Sequence, residues 1–353
     1  MMEPSYEQAL KTLEKTFKGR IRRPSGETEA NFGALASVLP LHAQEVELLA
    51  KEAARYSIPL AAVGGGTSPE PLAEEGKLLV RFDLMRGVRL PNRDGGWAEA
   101  EPGTPWLKLD EELRLRDMGL AVYPTSAPRA TVGGWLATDG LGVGSFEFGR
   151  LRENVLSASV VLPGGERREV PGEEVGSFLS TGTAEGIVVG ARLRTRRADA
   201  DTLFAAAFEV AADMTGAVTG LFDTSLPLWH LAVLNPAMAR ARKLGTMHLM
   251  FGAYPRERTE KVENRLRSVV ESNQGRLLPA ADAHRAWGER YFPIRPSILP
   301  PGFPGLSREF SSVAELPQKL EQVEDSATSV ALQGTIARSG EILLLTLDTR
   351  EMT

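Results

Sequence analysis

Between Ala130 and Arg150 the chain crowds six glycines (Gly133, Gly134, Gly140, Gly142, Gly144 and Gly149) around Trp135, Phe146 and Phe148. A glycine in a helix interior costs about 1 kcal/mol relative to alanine, so this stretch cannot be one ordinary helix. The spacing predicts a short helix followed by loop, with backbone packed close against something else, an approach that glycine permits because it carries no Cβ. A second cluster, Gly64-Gly65-Gly66-Thr67-Ser68, directly follows the apolar run Ile58 to Val63. Consecutive glycines let backbone N–H groups converge on an anion, and the two hydroxyls add donors, so such a nest binds phosphate oxygens. The run is not G-x-G-x-x-G, and no Gly-Lys-Ser/Thr closes it as a P-loop. Taken alone it reads equally as a plain glycine turn.

Around these clusters the pattern alternates between helix and strand. Gln44 to Tyr56 reads as a helix, with Val46, Leu49, Ala50 and Ala53 at helical spacing. Lys77 to Phe82 and Trp97 to Glu101 read as strands, the latter stopped by Pro102-Gly103. Pro105 to Met118 reads as a helix with Trp106, Leu109 and Leu113 on one face. Val155 to Leu162 and Arg167 to Val170, joined by Pro163-Gly164-Gly165-Glu166, form a hairpin. Ile187 to Thr195 is a further strand. The composition changes near residue 197, and a β-α-β-β-α-β order begins: strands near 202–208, 228–234, 246–254 and 276–278, with helices at 210–222 and 256–272. That order suggests a ferredoxin-like sheet with helices on one face. Residues 293–317, with six prolines, read as a crossing loop rather than a regular element. Glu341 to Asp348 reads as a final strand. The 353 residues therefore divide into two domains, 1–197 and 198–353, each with its own core.

Composition excludes several kinds of chemistry. There is no cysteine, hence no disulfide, no thiolate metal site, no iron–sulfur ligation by this chain and no cysteinyl link to a cofactor. A formal charge of -5 gives no electrostatic reason to expect nucleic acid. The first residues, MMEPSYEQALKTLEKTF, carry early acids and no apolar core of a signal peptide, and no apolar run approaches the roughly 20 residues that span a bilayer. The expectation is a cytoplasmic protein, with any membrane association made through partners.

Three blocks stand in order along the chain: the Gly64–Ser68 loop; Tyr123-Pro124-Thr125-Ser126 followed by Thr131-Val132-Gly133-Gly134-Trp135-Leu136-Ala137-Thr138-Asp139-Gly140 and Gly142 to Arg150; and Gly182-Thr183-Ala184-Glu185-Gly186-Ile187-Val188. This order resembles the FAD-binding domain of the vanillyl-alcohol-oxidase/p-cresol-methylhydroxylase (PCMH-type) superfamily, and within it the glycolate oxidase and D-lactate dehydrogenase flavin subunits. The likeness covers roughly residues 35–197 well and the rest more loosely. It implies an α+β fold: a two-subdomain PCMH-type FAD-binding domain and a ferredoxin-like α/β cap. It implies FAD contacts at Gly64, Gly65, Gly66, Thr67, Ser68, Pro124, Thr125, Ser126, Thr131, Gly133, Gly134, Ala137, Thr138, Gly140, Gly142, Gly186, Ile187 and Val188. Many relatives tether the flavin through a histidine in or near the first glycine loop. That loop here holds only glycine, threonine and serine, so the FAD is expected to be non-covalent.

In the second domain Trp287-Gly288-Glu289-Arg290 resembles the W-x-x-R motif of 2-hydroxy-acid members, whose arginine meets a substrate carboxylate. A planar guanidinium suits that task. A surface or salt-bridging arginine is the other reading of Arg290. The family's histidine-rich C-terminal motif, which supplies metal ligands and a base, has as its counterpart Leu332 to Glu341, which contains no histidine. The four histidines, His42, His230, His248 and His284, show no metal-ligand spacing; His230 and His248 fall in cap strands, where core or sheet-face roles are commoner than a base. No metal is expected. Three functions stay open: a subunit that oxidises a small 2-hydroxy acid, with a second flavin subunit and an iron–sulfur subunit as expected partners; a stand-alone FAD oxidase of another alcohol or sugar lactone; and a non-catalytic FAD-binding accessory subunit.

Overall fold

The computed structural model describes residues 4–23, 36–67, 76–91, 96–179, 186–198, 200–292, 306–324 and 330–349. They form three sheets with helices packed between and around them. The first sheet has β1 (Ile21–Arg22), β2 (Ala36–Val38), β3 (Leu60–Val63) and β4 (Leu78–Arg81) in the order β1-β2-β4-β3. β2, β4 and β3 run parallel, which requires a crossover. Helix α2 (Ala43–Arg55) supplies the one between β2 and β3, and buries Val46, Leu49, Ala50 and Ala53. Together with α1 (Pro4–Phe17) it closes a core of Leu10, Leu13, Phe17, Val38, Leu78 and Val80.

The second sheet is antiparallel. β5 (Val88–Arg89), β6 (Trp97–Ala100), β8 (Val155–Val161), β9 (Arg167–Pro171) and the long β10 (Ile187–Arg197) lie in the order β5-β6-β10-β8-β9, and β7 (Met118–Leu120) also pairs with β10. Helix α3 (Trp106–Arg114) ends before the expected Met118, because the chain turns through Asp117 at φ +57° and enters β7. The glycine-crowded stretch contains two short helices, α4 (Val132–Leu136) and α5 (Ser145–Phe148). Fully buried Trp106 donates its indole N–H to the carbonyl of Thr131 at 3.0 Å and meets Trp135 edge-on at 5.1 Å, so α3 and α4 are fastened to one another. Helix α6 (Gly172–Leu179) follows β9.

The third, or cap, sheet comprises β11 (Asp201–Phe208), β12 (His230–Leu234), β13 (His248–Pro255), β14 (Arg276–Leu277), β15 (Leu306–Ser312), β16 (Val330–Ile336) and β17 (Glu341–Asp348), in the order β14-β11-β13-β12-β16-β17-β15. Its first four strands stand in the ferredoxin-like order, fourth-first-third-second. Helices α7 (Ala211–Asp223), α9 (Thr259–Ser272) and α11 (Leu316–Glu324) cover one face with Met214, Leu221, Leu266 and Leu320. The expectation of helices on one face only is corrected. Two short helices, α8 (Pro236–Ala241) and α10 (Ala280–Gly288), lie on the other. They fit there because both surfaces are shaved to alanine: Ala237, Ala239, Ala283 and Ala286 against Ala205, Ala207, Ala232 and Ala331. The proline-rich segment is also corrected. Residues 306–312 contain no proline and pair with β17 from Leu306↔Leu347 to Ser312↔Glu341, and Pro317 sits in the first turn of α11, where a missing N–H costs nothing. The other five prolines lie outside the described residues.

The cap sheet is joined to the second sheet by Trp229. Its buried indole donates to the carbonyl of Ala121 at 3.0 Å, while the Arg196 guanidinium stacks over its ring at 3.5 Å. Arg258 grips Glu147 with two bonds of 2.9 and 2.8 Å, and Arg150 grips Glu341. Truncation of a buried tryptophan typically costs about 3–5 kcal/mol. Trp229→Ala is therefore expected to lower the unfolding free energy by about that amount in a denaturant titration, and Arg258→Ala by far less.

Candidate functional site

A cavity of about 620 Å³ opens between the first and second sheets. One wall is Leu60 to Gly64 with Ala50, Ala53 and Ile58; the other is Val161 to Gly164 with Gly186, Ile187 and Val188; Gly133, Gly134 and Ala137 close one end and Lys77 the other. The glycines at the closed end are required by contact. A Cβ on Gly64 would lie 2.8 Å from the Thr131 hydroxyl and 2.9 Å from the Gly134 Cα, and one on Gly65 would lie 1.9 Å from the carbonyl oxygen of Arg129. The Gly64–Gly66 loop is thus laid directly on the turn that starts α4. Thr131 accepts the Gly134 N–H at 3.3 Å and holds that turn. The amides of Gly65 and Gly66 donate to no described residue, leaving a backbone cradle with free donors.

The expected contact residues fall into three places. Gly64, Gly133, Gly134, Ala137, Gly186, Ile187 and Val188 line the cavity, and Gly65, Gly66 and Thr67 continue the loop at its rim. Pro124, Thr125, Ser126 and Gly142 lie elsewhere, under the cap: Tyr123 and Val143 pair through bonds of 3.1 and 2.8 Å, and a Cβ on Gly142 would meet the Tyr123 carbonyl at 2.1 Å. Thr138 and Gly140 lie against Trp135, the hydroxyl on its carbonyl at 3.0 Å and the glycine beside its indole N–H. Ser68 and residues 182–185 of the third block lie outside the described residues.

Arg290 emerges from the end of α10 directly over the Tyr123–Thr125 segment. Its Nε donates to the Tyr123 hydroxyl at 3.0 Å, one terminal nitrogen to the Trp287 carbonyl at 2.9 Å, and the other to the Tyr291 hydroxyl at 2.6 Å. The Trp287 and Tyr291 rings stack on it at 4.6 and 4.2 Å. All these partners are uncharged, and among the described residues no carboxylate pairs with it. Two buried side chains fix where it stands. Arg242 donates to the carbonyl of Glu289 and, at 2.6 Å, to the Gln333 amide oxygen; Gln333 donates to the carbonyl of Arg290 at 3.1 Å. The next residue but one, Phe292, donates its N–H to the Thr125 carbonyl at 2.9 Å.

Burial sets the protonation states here. It pushes the phenols of Tyr123 and Tyr291 upward, so both are neutral. Arg242 is pulled down to about 10 by burial and stays charged at neutral pH. Burial, helped by Arg290, pushes His230 down to about 3. His230 lies edge-on to Trp287 at 5.7 Å and Phe251 at 6.1 Å, and neither ring nitrogen has a partner.

Comparison with known proteins gives these features a family. Residues 34–171 match the FAD binding domain family. A mitochondrial D-lactate dehydrogenase (cytochrome) of Arabidopsis thaliana is 34% identical over 131 residues, 36% of this chain and 23% of that one. A D-2-hydroxyglutarate dehydrogenase of Pseudomonas putida is 32% identical over 136 residues, 37% of this chain and 14% of that one. The matched stretch thus spans less than a quarter of either relative. The structure of p-cresol methylhydroxylase with substrate bound superposes with a TM-score of 0.78 at 13% identity, covering 100% of this chain and 85% of that one. Residues 34–171 are an FAD binding domain, and the chain shares its fold with p-cresol methylhydroxylase. Its cofactor is FAD, and the cavity suits that group: a long apolar slot ends at a bare backbone cradle whose free amides match a pyrophosphate.

Reading of the sequence had singled out Arg290 and passed over the groups that hold it. Gln333 is fully buried, and a polar residue inside the apolar run Val330 to Ile336 was the available signal. Arg242, at the end of an alanine-rich helix, gave none. His230 was expected to be a core or sheet-face histidine, and its burial agrees.

That burial has a measurable consequence. Unfolding exposes His230 and restores a pKa of about 6.5. Between about 6.5 and 3 the unfolded chain therefore binds the extra proton; stability is fully present above that window and is lost as pH falls through it. The unfolding free energy of the wild type relative to His230→Phe should fall by about 1.4 kcal/mol per pH unit from about pH 6 to 4 and be flat above about pH 7. A difference that is flat throughout would mean that this histidine is protonated in the folded state.

Proposed function

We propose that this chain is an FAD-dependent oxidoreductase subunit that oxidises a small 2-hydroxy acid, with residues 1–197 as the flavin domain and 198–353 as the cap. One observation carries the reading: Arg290 stands where the cap meets the Tyr123–Thr125 segment, charged, stacked and held only by neutral acceptors. A guanidinium so placed gains from exchanging a tyrosine oxygen for a carboxylate, because charge-assisted bonds are roughly twice as strong as neutral ones. Tyr123 keeps its phenolic proton. Arg242 and Gln333 tie down the end of α10, so the α-carbon of the acid is held in one place. FAD, when bound, supplies the two-electron acceptor. Electrons then pass to a partner, with a second flavin subunit and an iron–sulfur subunit as the candidates.

In this reading the FAD contacts are Gly64, Gly65, Gly66, Thr67 and Ser68, the Pro124–Ser126 turn, Thr131, Gly133, Gly134, Ala137, Thr138, Gly140 and Gly142, and Gly186, Ile187 and Val188. Adding even one methyl at Gly65 must push the loop off Arg129. Gly65→Ala is expected to lose at least about tenfold in FAD affinity, since displacing one amide bond to an anion costs about 1.5–3 kcal/mol. Gly288→Ala is the control: a Cβ there, at the end of α10 and away from the cavity, meets nothing within 4 Å, and flavin content measured by absorbance after gel filtration should stay at the wild-type level. Wild-type flavin content in Gly65→Ala would sink the assignment of the loop.

Anaerobic bleaching of the flavin by a panel of 2-hydroxy acids tests the activity. Arg290→Met should keep its flavin and lower the second-order reduction rate about ten- to a hundredfold, the scale of one charge-assisted bond. Arg290→Lys should recover only part, because an ammonium cannot reproduce the guanidinium fork. Failure of every hydroxy acid to bleach the flavin, alone or with co-purified partners, would leave the accessory-subunit reading.

A further inference from the structure

The face of the cap sheet that looks toward the FAD domain is almost wholly apolar. Ala205, Ala207, Ala232, Leu234, Leu249, Phe251, Ala331, Leu343 and Leu345 make it up. Three buried polar side chains interrupt it: His230 on β12, and Gln333 and Thr335 on β16. All three are fully buried. β12 and β16 pair with Ala232 opposite Thr335, so His230, two residues from Ala232 and on the same face, stands diagonally across from Thr335. Gln333 has its partners in Arg242 and Arg290. The other two have none: both ring nitrogens of His230 and the hydroxyl of Thr335 are buried without a hydrogen bond. Buried polar groups in native proteins are nearly always paired, and an orphan calls for a specific cause. Here three orphaned atoms occur on two neighbouring strands, one residue pair apart on the same face. His230 and Arg290 share a cover as well, since both pack on the Trp287 indole.

We propose that His230 and Thr335 form the uncharged half of a ligand site whose charged half is Arg290. The inference rests on the proposed function and deepens it: these two side chains are assigned to the polar group on the carbon next to the substrate carboxylate. Arg290 alone recognises any carboxylate. A neutral imidazole offers one donor and one acceptor, and a threonine hydroxyl offers both. A 2-hydroxyl or 2-oxo group, which donates or accepts at one point, matches that pair, whereas an alkyl carbon leaves it orphaned. A site whose polar groups go unpaired discriminates against the ligand lacking the partner far more strongly than an apolar pocket rejects an added group. The two strands therefore set specificity, and the arginine sets affinity.

Calorimetric titration of the FAD-loaded protein with oxamate and with propionate tests this. Both are monoanions of similar size, and only oxamate carries a polar group on the adjoining carbon. The wild type should bind oxamate at least about tenfold more tightly, the scale of one buried hydrogen bond. His230→Phe and Thr335→Val should each shrink that preference several-fold while keeping propionate affinity and flavin content. Each should also melt no lower than the wild type, because a shape-matched apolar replacement removes orphaned atoms and no bond. Thr335→Val carries the test if the phenylalanine ring does not fit. Arg290→Met should weaken both anions alike. Binding of both anions with the preference intact in both variants overturns this inference and leaves the proposed function standing. A melting point lowered in both variants also overturns it, since it would show that the polar atoms hold the fold. Absence of binding by either anion overturns the anion reading of Arg290 and this inference together.

Discussion

The approach of Gly65 to the carbonyl of Arg129 is where two sheets of different design become one binding domain. A parallel sheet ends in the Gly64–Gly66 loop, and an antiparallel sheet presents the turn before α4. With the would-be Cβ of Gly65 only 1.9 Å from the Arg129 oxygen, no other residue allows the two backbones to meet. Everything on either side follows from that contact. It holds Gly64 at the slot between Leu60–Val63 and Ile187–Val188, beside Gly133 and Gly134, and it places the loop on α4, whose Trp135 packs against Trp106. Close backbone contact leaves donors exposed without leaving them flexible, which suits a tightly held anion.

The cap obeys a different constraint. Its inner face must carry two helices and still lie near the FAD domain, so alanine replaces the larger aliphatic residues found on its outer face. The thin layer brings α10 down onto the sheet, and a buried arginine and glutamine fasten the helix by its last carbonyls. Arg290 is then delivered to Tyr123 by two independent supports, the sheet beneath and the Phe292–Thr125 bond beside it.

Much of this was legible in the residues. Strand β17 was read to its last residue, Asp348, and α2 within a residue at each end, because both have unbroken periodicity bounded by polar turns. The ferredoxin-like strand order followed from the alternation of helical and strand patterns. The helices α8 and α10 escaped, since at six and nine residues they are too short to establish a helical period. Strand β15 was hidden by the prolines before it. At the site, glycines and the arginine stand out in a sequence because few structural roles demand them. The tyrosines, Gln333 and Thr335 do not, and only a fold that places them side by side gives them meaning.

The slot between the first two sheets bears on how the molecule is made. Among the described residues, every one that lines it lies between Ala50 and Val188, and none comes from the cap sheet, whose strands begin at Asp201. On a ribosome the chain appears from its N-terminus, so the slot is complete in sequence before the first cap strand has been synthesised. Cofactor capture need not wait for the cap, and the cap can be assembled over a nucleotide already in place.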